Sequence, residues 1–418
     1  MTNNQPFTPY IIGIGPGDAA YIYPLAQQLI EQAEVLIGGR RNLAELARPG
    51  HETLVIDRGL AQVAEYIRAN WQSRRLVVLA SGDTSLFSVR AYLQKKLPEV
   101  PFGVLPGISS LQYLLARRGL NLNELKIITM HGANNANLLN TVMRERATAI
   151  FTGGENSPQV IAARLAQLDF AELTLTVGEN LSYPDERIVS GSPEQIAAQS
   201  FAPLSLMLAE NAQPEARPWP YLPAGLPDEL FERLTDASGK IVPMTKSEVR
   251  AIITSKLRLR ENSRLLEIGS GTGSVTVEAA LAAYAGHVWT LELNPQAQTA
   301  CRRNLAKFGL DNVTLIEGAA PEALPDAPPE GYDSLFIGGS GGNLAAIVAQ
   351  VCSQPQPLRV VISAITLESV AEAMAALQAA GCQDLEVVQA AVARSRRAGS
   401  KHLMMGLNPI TIIAANKA

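Results

Sequence analysis

The chain has 418 residues, 47% of them hydrophobic, and a formal net charge of -4. That length predicts two domains and that composition excludes a disordered chain. The mild acidity excludes a general attraction to nucleic acid or to an anionic membrane.

In chain order, apolar strands are expected at residues 10–14, 76–80, 149–152 and 204–208, alternating with helical patterns at 23–33 and 157–168. This alternation predicts α/β architecture with largely parallel sheets. Residues 1–9 lack the basic-then-apolar pattern of a signal peptide. No apolar run reaches the ~20 residues of a membrane span. A cytoplasmic location without membrane contact is the expectation. Cys301, Cys352 and Cys382 are odd in number and far apart in sequence, which predicts free thiols. Neither they nor the histidines show zinc-ligand spacing, so no metal site is expected.

The first strand runs into Gly13-Ile14-Gly15-Pro16-Gly17-Asp18, where Pro16 stops the ladder and the glycines permit a tight loop. The spacing is not a dinucleotide fingerprint. Similar loops follow at Ser81-Gly82-Asp83 and at Pro106-Gly107-Ile108-Ser109-Ser110. Ser109 or Ser110 is placed to cap the next helix. Three glycine-centred strand ends predict a cleft lined by main-chain groups, with Asp83 either a ligand contact or a turn residue.

Residues 213–227 hold Pro214, Pro218, Pro220, Pro223 and Pro227, a stiff spacer between two halves. The β/α alternation restarts at Arg264. There a strand ends as Leu265-Leu266-Glu267-Ile268-Gly269-Ser270-Gly271-Thr272-Gly273, with a helix expected at 275–284. Glu292 closes the next strand, expected at 287–291. A backbone loop that wraps a nucleoside, with a carboxylate for its ribose, is the reading. The Gly-x-Gly-x-Gly spacing favours S-adenosyl-L-methionine over NAD. Strands at 313–316 and 334–337 follow, the second ending in Gly338-Gly339-Ser340-Gly341-Gly342. So many glycines suggest that a bulky ligand approaches the backbone of Gly339, Ser340 and Gly341.

The three loops of the first half, with Gly38-Gly39-Arg40-Arg41 and the segment from Gly178-Glu179-Asn180 to Glu186-Arg187-Ile188, resemble the tetrapyrrole methylase family. Its C5-methylating cobalamin branch is the nearer likeness. The resemblance covers about residues 8–210 and implies a two-lobed fold, with cofactor contacts at Gly82, Asp83, Ser109 and Ser110. His131-Gly132 falls on a motif loop of that family, which makes His131 the candidate proton carrier, with packing or capping as its other role.

In the second half, Pro243-Met244-Thr245-Lys246-Ser247-Glu248-Val249-Arg250-Ala251, the two glycine loops and Asn408-Pro409-Ile410 resemble the C15-methylating, decarboxylating family of cobalamin biosynthesis. That resemblance spans 229–418 and implies a Rossmann-like class I methyltransferase fold. By it, Thr245, Gly269 to Gly273, Glu292 and Ala320 contact the cofactor, and Glu267, the acid before the loop, is counted with them as a cofactor-binding residue. Ala319 stands where that family usually carries Asp. Residues 211–228 are left as the linker.

Together the resemblances imply methylation of a precorrin at C5 and C15, with loss of a ring acetate carboxyl, by a homo-oligomeric enzyme. The substrate's carboxylates call for cations, and Arg394, Arg396 and Arg397 are the candidates. Such chemistry needs positioning and exclusion of water more than a strong base. Two other readings remain open at this point: an RNA methyltransferase, or one catalytic half joined to a scaffold half.

Overall fold

The computed structural model describes residues 7–56, 59–130, 137–168, 172–214, 225–235 and 239–418. They form two compact units. One comprises residues 1–133 and 145–212, the other 134–144 and 213–418.

The first unit has two sheets. Strands β1 (Tyr10–Gly13), β2 (Val35–Gly38), β3 (Glu52–Val55), β4 (Leu76–Ala80) and β5 (Gly103–Leu105) form a sheet in the order β3-β2-β4-β1-β5. Every pairing in it is parallel. Both faces are covered: Ile11, Val35, Ile37 and Val78 pack on one side, and Ile12, Leu36, Val77 and Leu79 on the other. Double burial explains why these strands read as continuous apolar runs instead of alternating ones.

The second sheet orders β6 (Lys126–Thr129), β7 (Ala147–Phe151), β8 (Leu173–Glu179), β9 (Arg187–Gly191) and β10 (Ser205–Asn211) as β6-β7-β10-β8-β9. Here the expectation of a largely parallel sheet fails. Only β6 and β7 run parallel, while β10 is antiparallel to β7 and β8, and β8 to β9. The connection from β8 to β9 is too short for a crossover helix, and a short connection dictates antiparallel pairing.

The second unit is built on one seven-stranded sheet. Its strands are β11 (Arg264–Ile268), β12 (His287–Glu292), β13 (Val313–Glu317), β14 (Ser334–Ile337), β15 (Leu358–Ala364), β16 (Gln383–Ala390) and β19 (Ile410–Lys417). Their order is β13-β12-β11-β14-β15-β19-β16, and β17 (Ala393–Ala398) pairs only with β18 (Lys401–Gly406). All pairings are parallel except those of β19. The strand order reverses between β11 and β14. Open α/β sheets bind ligands in the crevice at the carboxyl ends of the strands at such a point.

Two boundaries shift from the sequence reading. Asn211 is not linker but the last residue of β10, paired with Leu173. At the other end, Gly225 and Leu226 donate their N–H groups to Glu278 at 2.9 and 2.8 Å, and Leu226 is buried. Residues 225–228 therefore belong to the second core, and much of the remaining linker (215–224) lies outside the described residues. Residues 134–144 group with the second unit although the sequence places them inside 8–210.

Among the described residues no helix is long and apolar enough to cross a membrane.

Candidate functional site

In the second unit the glycine loop follows β11 and leads into the helix Ser274–Ala282. Gly269, Gly271 and Gly273 all have left-handed φ, at +83°, +56° and +77°. Only glycine takes such angles without strain. Their neighbours explain the spacing further. A Cβ on Gly269 would lie 2.9 Å from the main chain of Gly339, and one on Gly271 2.8 Å from the Pro243 carbonyl. A Cβ on Gly273 would lie 2.6 Å from Cys301 Sγ. The loop is thus stitched by close backbone packing to the ends of β14 and of the 243–245 segment. Gly339 sits there because the Gly338 and Gly339 N–H groups both donate to the Ile268 carbonyl, at 2.9 and 3.3 Å.

Glu292, at the end of β12, holds the loop from the side. Its Oε2 accepts the Gly271 N–H at 2.8 Å and its Oε1 the Asn294 N–H at 2.8 Å. The carboxylate is only half-buried, so lone pairs remain for a ligand hydroxyl. The Glu292 carbonyl accepts the Gly318 N–H at 3.0 Å, and Asn343 donates to the Ala320 carbonyl at 3.1 Å. The loops after β11, β12, β13 and β14 are therefore linked, as the sequence grouped them. Apart from their own chain neighbours, no atom of the described residues lies within 4 Å of a Cβ built on Gly339, Gly341 or Gly342, so this rim is open.

Glu267 and Thr272 depart from the sequence reading. The Glu267 side chain is 1% exposed and lies beneath the loop, not on its ligand face. Its Oε2 accepts from Thr276 at 2.5 Å and Thr290 at 3.0 Å, tying β11, β12 and the helix together, while Oε1 has no partner. Thr272 is fully buried, and only its carbonyl is engaged, by Asn304 at 2.8 Å.

Burial pushes the Glu267 carboxyl up to about 7 against the Thr276 and Thr290 hydrogen bonds, with repulsion from Glu292 adding to the rise. Between the ordinary carboxylate range and about 7, the folded protein holds a proton that the unfolded chain has released. Stability contributed by this group therefore falls as pH rises through that window. Glu267→Gln removes the effect. Urea unfolding from pH 5 to pH 8 is expected to move in favour of the variant, relative to the natural chain, by about 2–3 kcal/mol.

Thr245 is held by a buried arginine that sequence reasoning left unassigned. Arg250 is 0% exposed. It donates to Glu278 Oε1 at 2.8 Å, to Asp228 Oδ1 at 2.9 Å, and to the carbonyls of Thr245 and Leu226. Its guanidinium also lies 4.6 Å from the centre of the Phe231 ring, within cation–π range. The clue in the sequence was Glu278, the one charged residue of the helix Ser274–Ala282.

The same network engages one member of the arginine cluster. Arg394 donates to Asp228 Oδ2 at 2.6 Å, to both Glu248 oxygens at 3.0 and 2.5 Å, and to Ser247 at 2.9 Å. Its fork is occupied by the chain's own carboxylates. Strand alternation puts Arg397 on the opposite face of β17 from Arg394 and Arg396, so the three do not converge. Arg396 is exposed, opposite Leu403 on β18.

In the first unit, the glycines at the ends of β1, β4 and β5 touch one another. A Cβ on Gly107 would lie 2.4 Å from the Gly82 carbonyl, and one on Gly13 2.6 Å from the Gly107 nitrogen. Gly107→Ala, which drives a methyl into backbone, is expected to destabilise this unit by about 3 kcal/mol, read as a lower urea midpoint.

Asp83 serves as the turn residue. It accepts the Ser85 N–H at 2.8 Å and the Gly107 N–H at 3.1 Å, bridging the loops after β4 and β5. Burial pushes its carboxyl up, but the Ser85 hydroxyl, which also donates to it, and these backbone bonds outweigh burial and hold it below its ordinary value. Ser109 caps the helix Ser110–Arg118 in a reciprocal box with Gln112. Ser110 lines a small pocket with Pro16, Gly178, Leu181, Ser205 and Leu206. That pocket joins the loop after β1 to the second sheet and adds Pro16, Leu181 and Ser205 to the residues foreseen. His131 lies outside the described residues.

Residues 9–197 match the family model of the tetrapyrrole (corrin/porphyrin) methylases, and residues 238–417 that of the precorrin methyltransferase domain. A precorrin-6Y C(5,15)-methyltransferase (decarboxylating) of Sinorhizobium sp is 30% identical over 379 residues, 88% of this chain and 88% of that protein. A probable cobalt-precorrin-6B C(15)-methyltransferase (decarboxylating) of Pyrobaculum calidifontis is 45% identical over 199 residues, 47% of this chain and 98% of its own. The crystal structure of a precorrin-6Y C5,15-methyltransferase from Geobacter metallireducens GS-15 aligns at 37% identity with a TM-score of 0.42, over 47% of this chain and 99% of that one. Because the Sinorhizobium relative matches the chain across both glycine-loop units, this chain belongs to the decarboxylating precorrin-6Y C(5,15)-methyltransferases of cobalamin biosynthesis.

Proposed function

We propose that the two units divide the reaction, residues 8–210 methylating C5 and residues 229–418 methylating C15 and releasing the acetate carboxyl. The family's methyl donor is S-adenosyl-L-methionine, which supplies an electrophilic methyl group when bound. The observation that carries the reading for the second unit is the pairing of Glu292 with the Gly271 N–H at 2.8 Å. It places a partly exposed carboxylate beside the switch point of the sheet, which supports a Rossmann-like class I methyltransferase fold for this unit.

The residues present fit the cofactor. Glu292 has lone pairs for ribose hydroxyls. The backbone of Gly269, Ser270, Gly271 and Gly273 would form the cradle, with Thr245 and Ala320 as its further contacts. The open rim at Gly339, Ser340 and Gly341 leaves room for the macrocycle. In the first unit, Gly82, Asp83, Ser109 and Ser110 shape the cleft chiefly through main-chain groups, and Ser110 faces the pocket. Binding and orienting substrate, with water excluded, is what these residues do, since the macrocycle itself takes up electrons as carbon dioxide leaves. A cytoplasmic homo-oligomer acting on a precorrin and not on RNA completes the proposal.

Glu292→Ala tests the division. Incubated with the precorrin substrate, the variant is expected to give a product with one added methyl and an intact carboxyl, read by mass spectrometry. A product with both methyls and the carboxyl still released as carbon dioxide would assign the second unit a scaffold role.

A further inference from the structure

At the opposite end of the second unit's sheet lies a cavity of about 470 Å³, at the amino ends of β11, β14 and β15. Its size is that of a small-molecule site. One strand length, roughly 13 Å along β11, separates it from the glycine loop. Arg258, Arg260, Arg359 and Lys417 line it, against a single acidic side chain, Asp333. Asp333 is already engaged, accepting the Arg264 N–H and the Ser334 hydroxyl, each at 2.9 Å.

The cations differ in freedom. Arg359, 8% exposed, is fixed by the Lys256 carbonyl at 2.9 Å, Asn416 at 3.0 Å and Glu386 at 3.1 Å. Glu386 also serves Lys256 at 2.6 Å and Arg258 at 2.8 Å. One carboxylate shared by three cations leaves a positive surplus on this wall. Among the described residues, the Arg260 guanidinium has no carboxylate partner, and Lys417 donates to the Ala418 oxygen at 2.9 Å, at the rim of the same cavity. Concave walls with one sign of charge concentrate the opposite ion.

We propose that this cavity binds a small polyanion through its phosphate or carboxylate groups, gripped by Arg260 and Lys417 against the fixed Arg359. A guanidinium fork and a mobile ammonium suit either group. The site is separate from the second unit's glycine loop, and the occupant is a ligand other than the methyl donor.

The test is calorimetric titration of the full chain with pyrophosphate and, separately, with citrate. Saturable binding of at least one probe is expected, with a dissociation constant below about 1 mM, weakening as salt rises. Preference for pyrophosphate assigns phosphate chemistry, and preference for citrate assigns carboxylate chemistry. The variant R260A/K417A is expected to bind the preferred probe about tenfold or more weakly. Its melting temperature and its affinity for S-adenosyl-L-methionine stay unchanged, which shows that the fold is intact. No saturable heat from either probe, or equal binding by the natural chain and this variant, overturns the proposal.

Discussion

Glu292→Ala is expected to weaken S-adenosyl-L-methionine binding at the second unit by about 100-fold, and Glu292→Gln by about tenfold. A hydrogen bond to a charged group contributes about 1.5–3 kcal/mol, and roughly 2.7 kcal/mol corresponds to two decades of affinity. Alanine removes the proposed ribose acceptor and also orphans the Gly271 N–H, now bonded to Oε2 at 2.8 Å. Glutamine keeps one acceptor oxygen and loses the charge, hence the smaller effect. Titration calorimetry of the full chain reads both. The natural chain is expected to show two sites, and the alanine variant only the first unit's site in the micromolar range. Two undisturbed sites in the alanine variant would remove Glu292 from the cofactor pocket.

Arg250→Ala is expected to cost the second unit about 3–5 kcal/mol, the range for breaking one side of a buried ion pair. Arg250 and Glu278 are both 0% exposed and 2.8 Å apart, so the substitution leaves the Glu278 carboxylate buried with only the N–H groups of Gly225 and Leu226. It also frees the Thr245 and Leu226 carbonyls and removes the cation above Phe231. For a unit of this size the melting temperature falls by about 10 °C, read as the second unit's transition in scanning calorimetry. Arg250→Lys does not rescue it, since an ammonium cannot reach four acceptors in a planar fork. Arg394→Ala, one-third exposed at the edge of the same network, costs about 1 kcal/mol or less. A loss from Arg250→Ala no larger than that of Arg394→Ala would show that the network does not hold the unit together.

Much of this was legible in the sequence because strand ends and glycine loops are local. The run from Leu265 to Gly273 fixes its own strand, turn and helix start, and the structure adds only what the glycines pack against. The same locality made the β1, β4 and β5 loops readable. What escaped depends on contacts distant in sequence. Nothing near Arg394 reveals that Asp228 and Glu248, more than 140 residues away, occupy its fork. Likewise Glu267 sits beside the loop in sequence, yet strand alternation turns its carboxyl into the core beneath it. The antiparallel β8–β9 and β10 pairings were missed because apolar runs do not declare direction, only burial. Residues 225–228 looked like linker from Pro227 and the prolines before it, while Leu226 and Asp228 are core and ion-pair residues.

The most direct test of the central claim is the mass of the product formed by the full chain from its precorrin substrate and S-adenosyl-L-methionine labelled in the methyl group. Two labelled methyl groups gained and one carbon dioxide lost, on one molecule, is the expected result. A product with a single methyl, or with two methyls and every carboxyl retained, would contradict it.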